Sequence, residues 1–160
     1  MFKKTSSRMG SYLTAACMAP GLALAASLAA SLAGTQAASA ADILGHWKTP
    51  AGAVVHITSC GKTLCGKLTD FTPLPGYTRE SATDVNHKDV SKRGRKLLGL
   101  EVVWGVTKSG QTWAGRVYDP RRGFSAPATL KLTSQNSMNV KGCVKMVFNI
   151  CEDETWQRLR

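Results

Sequence analysis

The chain has few acidic residues. It contains 10 Asp and Glu residues against 21 Lys and Arg residues, a formal net charge of +11, and none of the acidic residues precedes Asp42. This balance favours anionic partners over cationic ones. A nucleic acid is not the expected partner, because no RNA- or DNA-binding motif is present and the aromatic residues lie in predicted strands rather than beside the Lys and Arg clusters.

The chain also lacks the residue sets of common enzyme sites. Its three histidines, His46, His56 and His87, do not follow a metal-ligand spacing, and there is no Ser–His–Asp set and no phosphate-binding loop. Glu101 would be a functional candidate only if its side of the strand faced inward, and we expect it to face outward. We therefore expect no metal, no cofactor and no catalytic residue, and an enzyme is the least favoured class.

No segment after residue 40 combines helical periodicity with helical length, whereas strand-like alternation recurs throughout. The clearest case is Leu97–Gly123, which reads as two long strands joined by a turn at residues 108–111. Eight such strands with mostly hairpin-length links predict an all-β fold, a single eight-stranded antiparallel up-and-down barrel wide enough for one small ligand. A β-sandwich is the alternative, although it needs longer connections.

Three segments depart from the simple strand pattern. Residues 72–96 form one long irregular loop, of the kind that is usually functional or loose. Pro127 lies inside a predicted strand and indicates an edge or a bulge. Lys145–Asp153 is predicted as a connection with some strand character.

The first 40 residues have the pattern of a cleaved signal peptide. Lys3, Lys4 and Arg8 precede a long run rich in Ala, Leu, Gly and Ser, which ends in the small-x-small motif of residues 38–40. A membrane anchor is the alternative, but Ala, Ser and Gly are only weakly apolar. We expect cleavage after Ala40, one barrel domain over residues 41–160, and no transmembrane segment in that domain. Subtracting the three basic residues from +11 leaves the domain +8.

The Cys17 thiol falls within the segment that we expect to be removed, and it lacks the preceding Leu of a lipidation site. Four cysteines remain: Cys60, Cys65, Cys143 and Cys151. An even number in a small exported domain indicates disulfides, and the C-x4-C and C-x7-C spacings lack the C-x2-C knuckle of a zinc site. Three pairings are possible, and we prefer Cys60–Cys65 with Cys143–Cys151, because each pair would close a hairpin.

Polar residues concentrate in the long loop. Asp84 and Asn86 are spaced like calcium ligands, but the helix-flanked loop with its central Gly and closing Glu is absent, so we expect them to cap turns and to pin the long loop through side-chain hydrogen bonds. The loop ends in a basic cluster that could form an anion-binding rim together with Arg116, Arg121 and Arg122. Its members include Lys88, Lys92, Arg93, Arg95 and Lys96.

Several motifs occur in a fixed order along the chain: Gly45-x-Trp47, Cys60-Gly61 with Leu64-Cys65-Gly66, Asp84-x-Asn86, residues 95–100, Trp113-x-Gly115-x-x-Tyr118-Asp119-Pro120-x-x-Gly123, and Gly142-Cys143 ahead of Thr155-Trp156-x-Arg158. In these motifs the chain resembles the bacterial domain-of-unknown-function 2147 family, small exported proteins with a lipocalin-like (calycin) barrel. The resemblance covers nearly all of residues 41–160. It departs after Gly123, where relatives carry a Lys-Thr-Tyr-like run and this chain has Phe124-Ser125-Ala126.

The resemblance implies structural roles for Trp47 and Arg158. In calycin barrels a Trp of the first strand closes the floor, and an Arg from the last strand lies across its ring, a contact worth roughly 0.5–2 kcal/mol. Trp113 is expected to be structural as well. The family has no settled activity, so the resemblance implies a fold more than a function.

Two functional classes lead. The first is a binding protein of the periplasm of a Gram-negative bacterium, or a secreted one, that holds a small amphipathic or anionic ligand under the long loop. The second is an envelope-associated protein with a filled barrel, whose basic surface docks on anionic lipid, lipopolysaccharide or a protein partner. Interior volume distinguishes the two. The candidate ligand-binding residues are Asp84, Asn86, Lys92, Arg93, Arg95, Lys96 and Tyr118.

Overall fold

The computed structural model describes residues 42–145, 147 and 149–160, without the side chain of Asn149, so the predicted signal peptide lies outside the described residues. Eight strands run in chain order, as predicted. They are β1 (Gly45–Lys48), β2 (Val54–Cys60), β3 (Thr63–Asp70), β4 (Glu101–Ser109), β5 (Thr112–Asp119), β6 (Phe124–Ser134), β7 (Ser137–Lys145) and β8 (Asn149–Arg158).

The strands form a closed up-and-down barrel, which confirms the predicted fold over the sandwich alternative. Each strand pairs antiparallel with the next, and β1 returns to β8 through the pairs Trp47↔Arg158 and Lys48↔Gln157. Closure gives every strand two neighbours and leaves no open sheet edge. Among the described residues, no helix has the length and apolar character needed to cross a membrane.

The barrel is packed with side chains at one end. Directly paired residues share a face of the sheet, so pairs such as Trp113↔Leu130 and Leu130↔Val140 carry one inward row of apolar side chains around the barrel. The deepest side chains of this packed end are Trp47, Ile57, Val106, Leu130 and Met138, each at most 1 % exposed.

The central hairpin is less regular than its sequence indicates. Strict alternation would place Val102 and Val106 on one face and Val103 on the other, but all three are buried. The register shifts between Trp104 and Thr107, where Gly105 has a φ of +62°. An extra residue in one strand reverses the faces beyond it, so the alternation expected past Gly105 is wrong.

The β7–β8 hairpin is longer than predicted. The expectation of a connection over 145–153 is wrong, because pairing continues through Cys143↔Cys151 to Lys145↔Asn149. The acidic run 152–154, which looks loop-like in the sequence, is part of a strand: Glu152 and Glu154 pair with arginines of the β5–β6 turn, and Asp153 pairs with Lys141 of β7.

Pro127 lies in a closed barrel, yet near a local gap in the pairing. β6 keeps its register with β5 through Arg116↔Pro127, whereas its described pairing with β7 begins only at Ala128↔Gly142. Pro127 therefore sits just beyond the end of the β6–β7 ladder, where a missing N–H is tolerated.

Residues 71–100 connect β3 to β4 and include the predicted loop. A single turn of 3₁₀ helix, Val90–Lys92, interrupts it, and the Asp89 side chain caps this turn by accepting a hydrogen bond from the Ser91 N–H. A lone bridge between Thr83 and Lys96 draws the two halves of the loop together. Residues 97–100, which we expected to begin the strand, belong to this connection because β4 starts at Glu101.

Candidate functional site

The end of the barrel opposite the packed end holds a cavity of about 500 Å³. Valines and other apolar side chains of seven strands, β2 to β8, form its wall, including Val55, Leu68, Val117, Val140 and Trp156. A cavity of this size and lining is typical of sites for small ligands. We call it the barrel cavity.

The long connection contributes to the wall of the barrel cavity. Phe71, Leu74, Tyr77, Ala82 and Leu97 all line it. Leu74 and Tyr77 are 60 % and 47 % exposed, so they reach from the cavity to the solvent. This arrangement places the connection where a covering loop would be.

Charged side chains gather on one side of the barrel cavity: Asp119, Arg121, Arg122, Glu152 and Glu154, which we call the rim cluster. Arg121 Nη2 lies 2.9 Å from Asp119 Oδ2 and 3.1 Å from Glu154 Oε1, while Arg122 pairs with Glu152. The hydrogen bond with Asp119, more than any other contact, raises the pKa of Arg121. Two guanidinium groups thus face three carboxylates, and the rim cluster is not a basic patch.

A buried polar contact fastens the long connection to the barrel. The Tyr118 hydroxyl donates to the Asp84 carboxylate at 2.7 Å, and Arg95 donates to Asp84 Oδ2 through Nε at 2.8 Å and Nη2 at 2.7 Å. The Arg95 guanidinium also lies 4.9 Å from the centre of the Tyr118 ring. The Asp84 side chain has no solvent exposure. We call these three residues the Asp84 lock.

The Asp84 lock shifts the ionisation of Tyr118 and Arg95. Burial, followed by the hydrogen bond to Asp84, raises the pKa of Tyr118 to about 12. For Arg95, burial acts to lower the pKa, but the hydrogen bonds to Asp84 and Tyr118 outweigh it, so the pKa is raised. Asp84 is therefore held by one neutral donor and one permanent cation. Both of its carboxylate oxygens already accept hydrogen bonds, and neither faces solvent as the oxygen of a calcium ligand would.

Asn86 reaches across to the β5–β6 turn. Its Nδ2 donates to the carbonyl oxygens of Pro120, at 3.3 Å, and Arg121, at 3.1 Å. Asp84 and Asn86 thus hold the long connection in place, as expected, but through hydrogen bonds to remote segments of the chain rather than by capping local turns. At this crossing Gly123 has a φ of +61°, and a Cβ added there would lie 1.7 Å from the Asn86 carbonyl oxygen.

The structure separates the sequence-predicted ligand residues. Asn86 and Tyr118 line the barrel cavity, whereas none of the four basic residues of the loop end does. Lys92 and Arg95 instead line a second pocket, together with Tyr118, and Arg93 Nε donates to the His87 carbonyl oxygen while Lys96 Nζ donates to that of Ser81. This basic cluster and the pair Arg121 and Arg122 therefore border different cavities and do not form the single rim that the sequence suggests.

Trp47 and Arg158 meet in the way that the resemblance implied. The guanidinium carbon of Arg158 lies 4.3 Å from the centre of the Trp47 ring, and its nitrogens donate to the carbonyl oxygens of Asp42, Leu44 and Gln135. Trp47 Nε1 donates to the Ile43 carbonyl oxygen at 2.8 Å. Arg158 thereby ties the first strand, the last strand and the β6–β7 turn together, and Trp113 is buried in the packed end.

The four cysteines pair as preferred. Cys60–Cys65 links β2 to β3, and Cys143–Cys151 links β7 to β8. Each disulfide joins the two strands of its own hairpin, with Cα–Cα distances of 5.8 Å for Cys60–Cys65 and 4.1 Å for Cys143–Cys151.

The histidines do not gather at one site. His46 and His56 face each other across β1 and β2, with ring centroids 4.0 Å apart, and His87 lies on the long connection. Within the part of the chain that the structure describes, no group of three His, Cys, Asp or Glu side chains could hold a metal ion. Glu101 is exposed, on the outer side of β4 as expected.

A family model described as "Uncharacterized protein conserved in bacteria (DUF2147)" matches residues 45–158. The chain belongs to the DUF2147 family. This span contains the barrel and both disulfides, as well as the Asp84 lock and the rim cluster. No curated protein matches the chain.

The DUF2147 barrel is similar in fold to a solved structure described as protein HP1028 from the human pathogen Helicobacter pylori, which belongs to the lipocalin family. The TM-score is 0.63 at 13 % sequence identity, and the match covers 74 % of this chain and 84 % of that chain. The similarity establishes a lipocalin-like fold for this DUF2147 protein.

Sequence reasoning missed the rim cluster as a unit. The sequence indicates Arg121 and Arg122 as basic residues, but it predicts a connection over Lys145–Asp153, so the ion pairs of Glu152 and Glu154 cannot be foreseen from it. The signal that could have revealed them is the alternation of Glu152 and Glu154 with Asp153 and Thr155 directly before the Trp156 position of the last strand.

Proposed function

We propose that this DUF2147 protein is a non-enzymatic binding protein that holds one small amphipathic molecule in the barrel cavity. The observation that carries the proposal is the apolar cavity of about 500 Å³ at one end of a barrel whose other end is packed. An interior of this volume supports a ligand-binding barrel over the filled barrel of the alternative hypothesis.

The lining indicates how such a ligand would lie. Its apolar part would contact Val55, Leu68, Val140 and Trp156, and each methylene that leaves water there would contribute about 0.8 kcal/mol. Its polar end would meet the rim cluster. Burial of the chain, rather than charge, would then supply most of the affinity, since exposed ion pairs contribute about 1 kcal/mol or less.

The rim cluster favours an uncharged polar end over an anionic one. Both guanidinium groups already have carboxylate partners, so an anion would have to compete with Asp119, Glu152 and Glu154. A hydroxyl or amide group can donate to these carboxylates and accept from the arginines without displacing either. Of the amphipathic and anionic ligands that the sequence suggests, we therefore favour an amphiphile whose head is neutral and forms hydrogen bonds.

A titration of the purified protein with fatty alcohols and fatty acids of increasing length tests this proposal. We expect affinity to rise stepwise with chain length, with each alcohol binding at least as tightly as the acid of equal length, and to change little with salt. Isothermal calorimetry at two salt concentrations measures both effects. Affinity that ignores chain length and disappears in high salt would contradict a cavity ligand.

Two matched variants locate the binding. Ala126 is buried and lines the barrel cavity, whereas Thr129 is exposed on the outer face of the same strand. We expect Ala126→Phe to weaken binding of the longest alcohol at least tenfold and Thr129→Phe to leave it unchanged. Equal behaviour of the two folded variants would place the ligand elsewhere.

Export to the periplasm of a Gram-negative bacterium, or secretion, is part of the proposal. It is supported by the signal-peptide pattern of residues 1–40 and by two disulfides, which persist in oxidising compartments.

Docking on an anionic envelope surface is the second candidate. It is favoured by exposed apolar side chains near the cavity opening, since Leu74, Tyr77 and Ile150 are 60 %, 47 % and 50 % exposed and Val147, in the same hairpin as Ile150, is 90 % exposed. Flotation with vesicles that contain or lack anionic phospholipid tests this candidate. Co-flotation with the anionic vesicles alone, lost in high salt, would support it.

A further inference from the structure

A second pocket, of about 420 Å³, lies outside the barrel between the long connection and strands β4 to β6. We call it the outer pocket. Trp104 and Ser125 line it. Trp104 pairs with Arg116 and Ser125 pairs with Tyr118, and these two β5 residues flank the inward-facing Val117. The outer pocket is thus built on the face of the sheet opposite to that of the barrel cavity, although Tyr118 and Phe124 border both.

Each of the three aromatic rings that line the outer pocket has a cation near it. Lys88 Nζ lies 4.8 Å from the centre of the Phe124 ring, and the Arg116 guanidinium carbon lies 5.9 Å from that of Trp104. The third ring is Tyr118, approached by Arg95 of the Asp84 lock. Aromatic surface and positive charge therefore alternate around one concave site.

Much of this positive charge has no close carboxylate. Within the described residues Lys88 and Arg116 form no ion pair, and Lys92 Nζ is 3.8 Å from Asp89 Oδ2, the long end of the range for a salt bridge. Among the described residues, Glu101 is the one carboxylate that lines the pocket. This contrasts with the rim cluster, where carboxylates outnumber guanidinium groups.

His87 also lines the outer pocket. Its Nδ1 lies 2.9 Å from the Asp89 amide nitrogen and 3.1 Å from the Asp89 carbonyl oxygen, so this ring nitrogen contacts its own segment of the chain. The outer pocket thus presents lysines and an arginine, which bind anions, beside flat aromatic surfaces that stack on rings.

We propose that the outer pocket binds a small organic anion that carries a flat aromatic ring. The ring stacks against Trp104 and Phe124, and the anionic group meets Lys88 and Lys92, while Arg116 lies beside the Trp104 ring. Both halves of the molecule are needed, because a bare anion leaves the aromatic surface in water and a neutral ring leaves the cations without a partner. This site is separate from the barrel cavity and does not depend on the ligand proposed there.

Three compounds test the pairing of ring and charge: 1-naphthyl phosphate, 1-naphthol and inorganic phosphate. We expect 1-naphthyl phosphate to bind at least tenfold more tightly than either of the others, as measured by calorimetry. Amide NMR shifts are expected at residues 87–92, 104 and 124–125. Equal affinity for inorganic phosphate and 1-naphthyl phosphate, or shifts confined to the barrel cavity, would overturn the proposal.

Exposed-residue variants assign the site. We expect the Lys88→Ala, Lys92→Ala double variant to weaken 1-naphthyl phosphate binding at least tenfold, and Trp104→Leu to weaken it while leaving inorganic phosphate unaffected. The control is Lys62→Ala with Lys131→Ala, which removes the same charge from exposed sites that do not line the outer pocket. Equal loss in both double variants would mean that net charge alone attracts the ligand. Binding that is lost in Ala126→Phe but kept in the Lys88, Lys92 variant would place the ring in the barrel cavity and overturn the proposal.

Discussion

Asp84 shows how much a single residue depends on segments that are remote in the sequence. Its carboxylate has no solvent exposure and is held by Tyr118 from β5 and Arg95 from the far end of the connection. Loss of either partner would leave this buried carboxylate poorly compensated, which is destabilising because a buried charge has no water to replace the missing donor. The Asp84 lock therefore stabilises the connection against the barrel.

The pKa of Tyr118 gives the lock a distinct pH dependence. Its value in the folded protein, about 12, lies above the ordinary value of 10.0, so the unfolded chain releases this proton first. The resulting stability is fully present below about pH 10 and is lost as the pH rises towards 12.

Tyr118→Phe tests this dependence. We expect the variant to lose about 1.5–3 kcal/mol at neutral pH, because the hydrogen bond to the carboxylate is gone. Between pH 10 and 12, the free energy of unfolding of the variant should fall less than that of the parent. Urea unfolding over this pH range measures both quantities, with Tyr77→Phe, at a partly exposed position, as the control. Parallel pH profiles for the parent and Tyr118→Phe would contradict the raised pKa.

The Trp47–Arg158 contact is a second prediction at the scale of residues. Trp47 is fully buried, so Trp47→Ala should cost about 3–5 kcal/mol in free energy of unfolding. Arg158→Ala should cost less and should couple to Trp47, since the guanidinium lies over its ring. A double-mutant cycle in urea measures the coupling. Strict additivity would mean that the ring contact adds nothing to barrel closure.

At the scale of elements, the long connection is fixed to the β5–β6 turn as well as to the barrel wall. Asn86 donates to two carbonyl groups of this turn, and Gly123 lets the two backbones touch. Any side chain at position 123 would have to displace backbone atoms of residues 86 and 87. Both the rim cluster and the Asp84 lock lie next to this crossing.

Two glycines allow a controlled test of the crossing. Gly110 and Gly123 have nearly equal φ values, +60° and +61°, but a Cβ at Gly110 would meet nothing within 4 Å. Gly110→Ala should therefore cost only the left-handed backbone strain, about 1–2 kcal/mol. Gly123→Ala carries the same strain plus the clash with Asn86, so it should cost clearly more. Urea unfolding of both variants gives the difference, and equal costs would show that the connection does not press on the turn.

At the scale of the whole molecule, positive and negative charges are distributed unevenly. Carboxylates neutralise the arginines of the rim cluster beside the barrel cavity. Of the lysines that line the outer pocket, Lys88 forms no ion pair within the described residues, and Lys92 Nζ lies 3.8 Å from Asp89 Oδ2. A protein of high net charge can thus have an electrically balanced entrance to its interior. The two cavities therefore suit ligands of different chemistry.

The two disulfides lead to a prediction for the whole exported chain. Mass spectrometry of protein recovered after export should show a chain that begins at Ala41, and thiol titration after denaturation without reductant should find no reactive cysteine. Peptide mapping should link Cys60 to Cys65 and Cys143 to Cys151. Each small loop is expected to contribute about 2–3 kcal/mol by the chain-entropy model. A link between the two hairpins, or a retained Cys17, would contradict the pairing or the cleavage.

Most of the strand pattern could be predicted from the sequence, but the faces of the central hairpin and the start of β8 could not. The alternation of apolar residues marks a strand wherever one side is buried. It fails at Gly105, because a bulge adds a residue to one strand, and at residues 149–153, because acidic side chains on a strand look like a loop until their arginine partners are known.

The sequence by itself determined the all-β class and the number of strands, and it favoured the observed pairing of cysteines among three, since these features depend on local periodicity and on spacings within one hairpin. The positions of the candidate sites were decided by the tertiary structure. Asp84 and Tyr118, or Arg122 and Glu152, are brought together only by the winding of the barrel and the path of the connection. No local pattern records on which side of the barrel wall a loop residue lies, which is why Lys92 and Arg95 border the outer pocket rather than the barrel cavity.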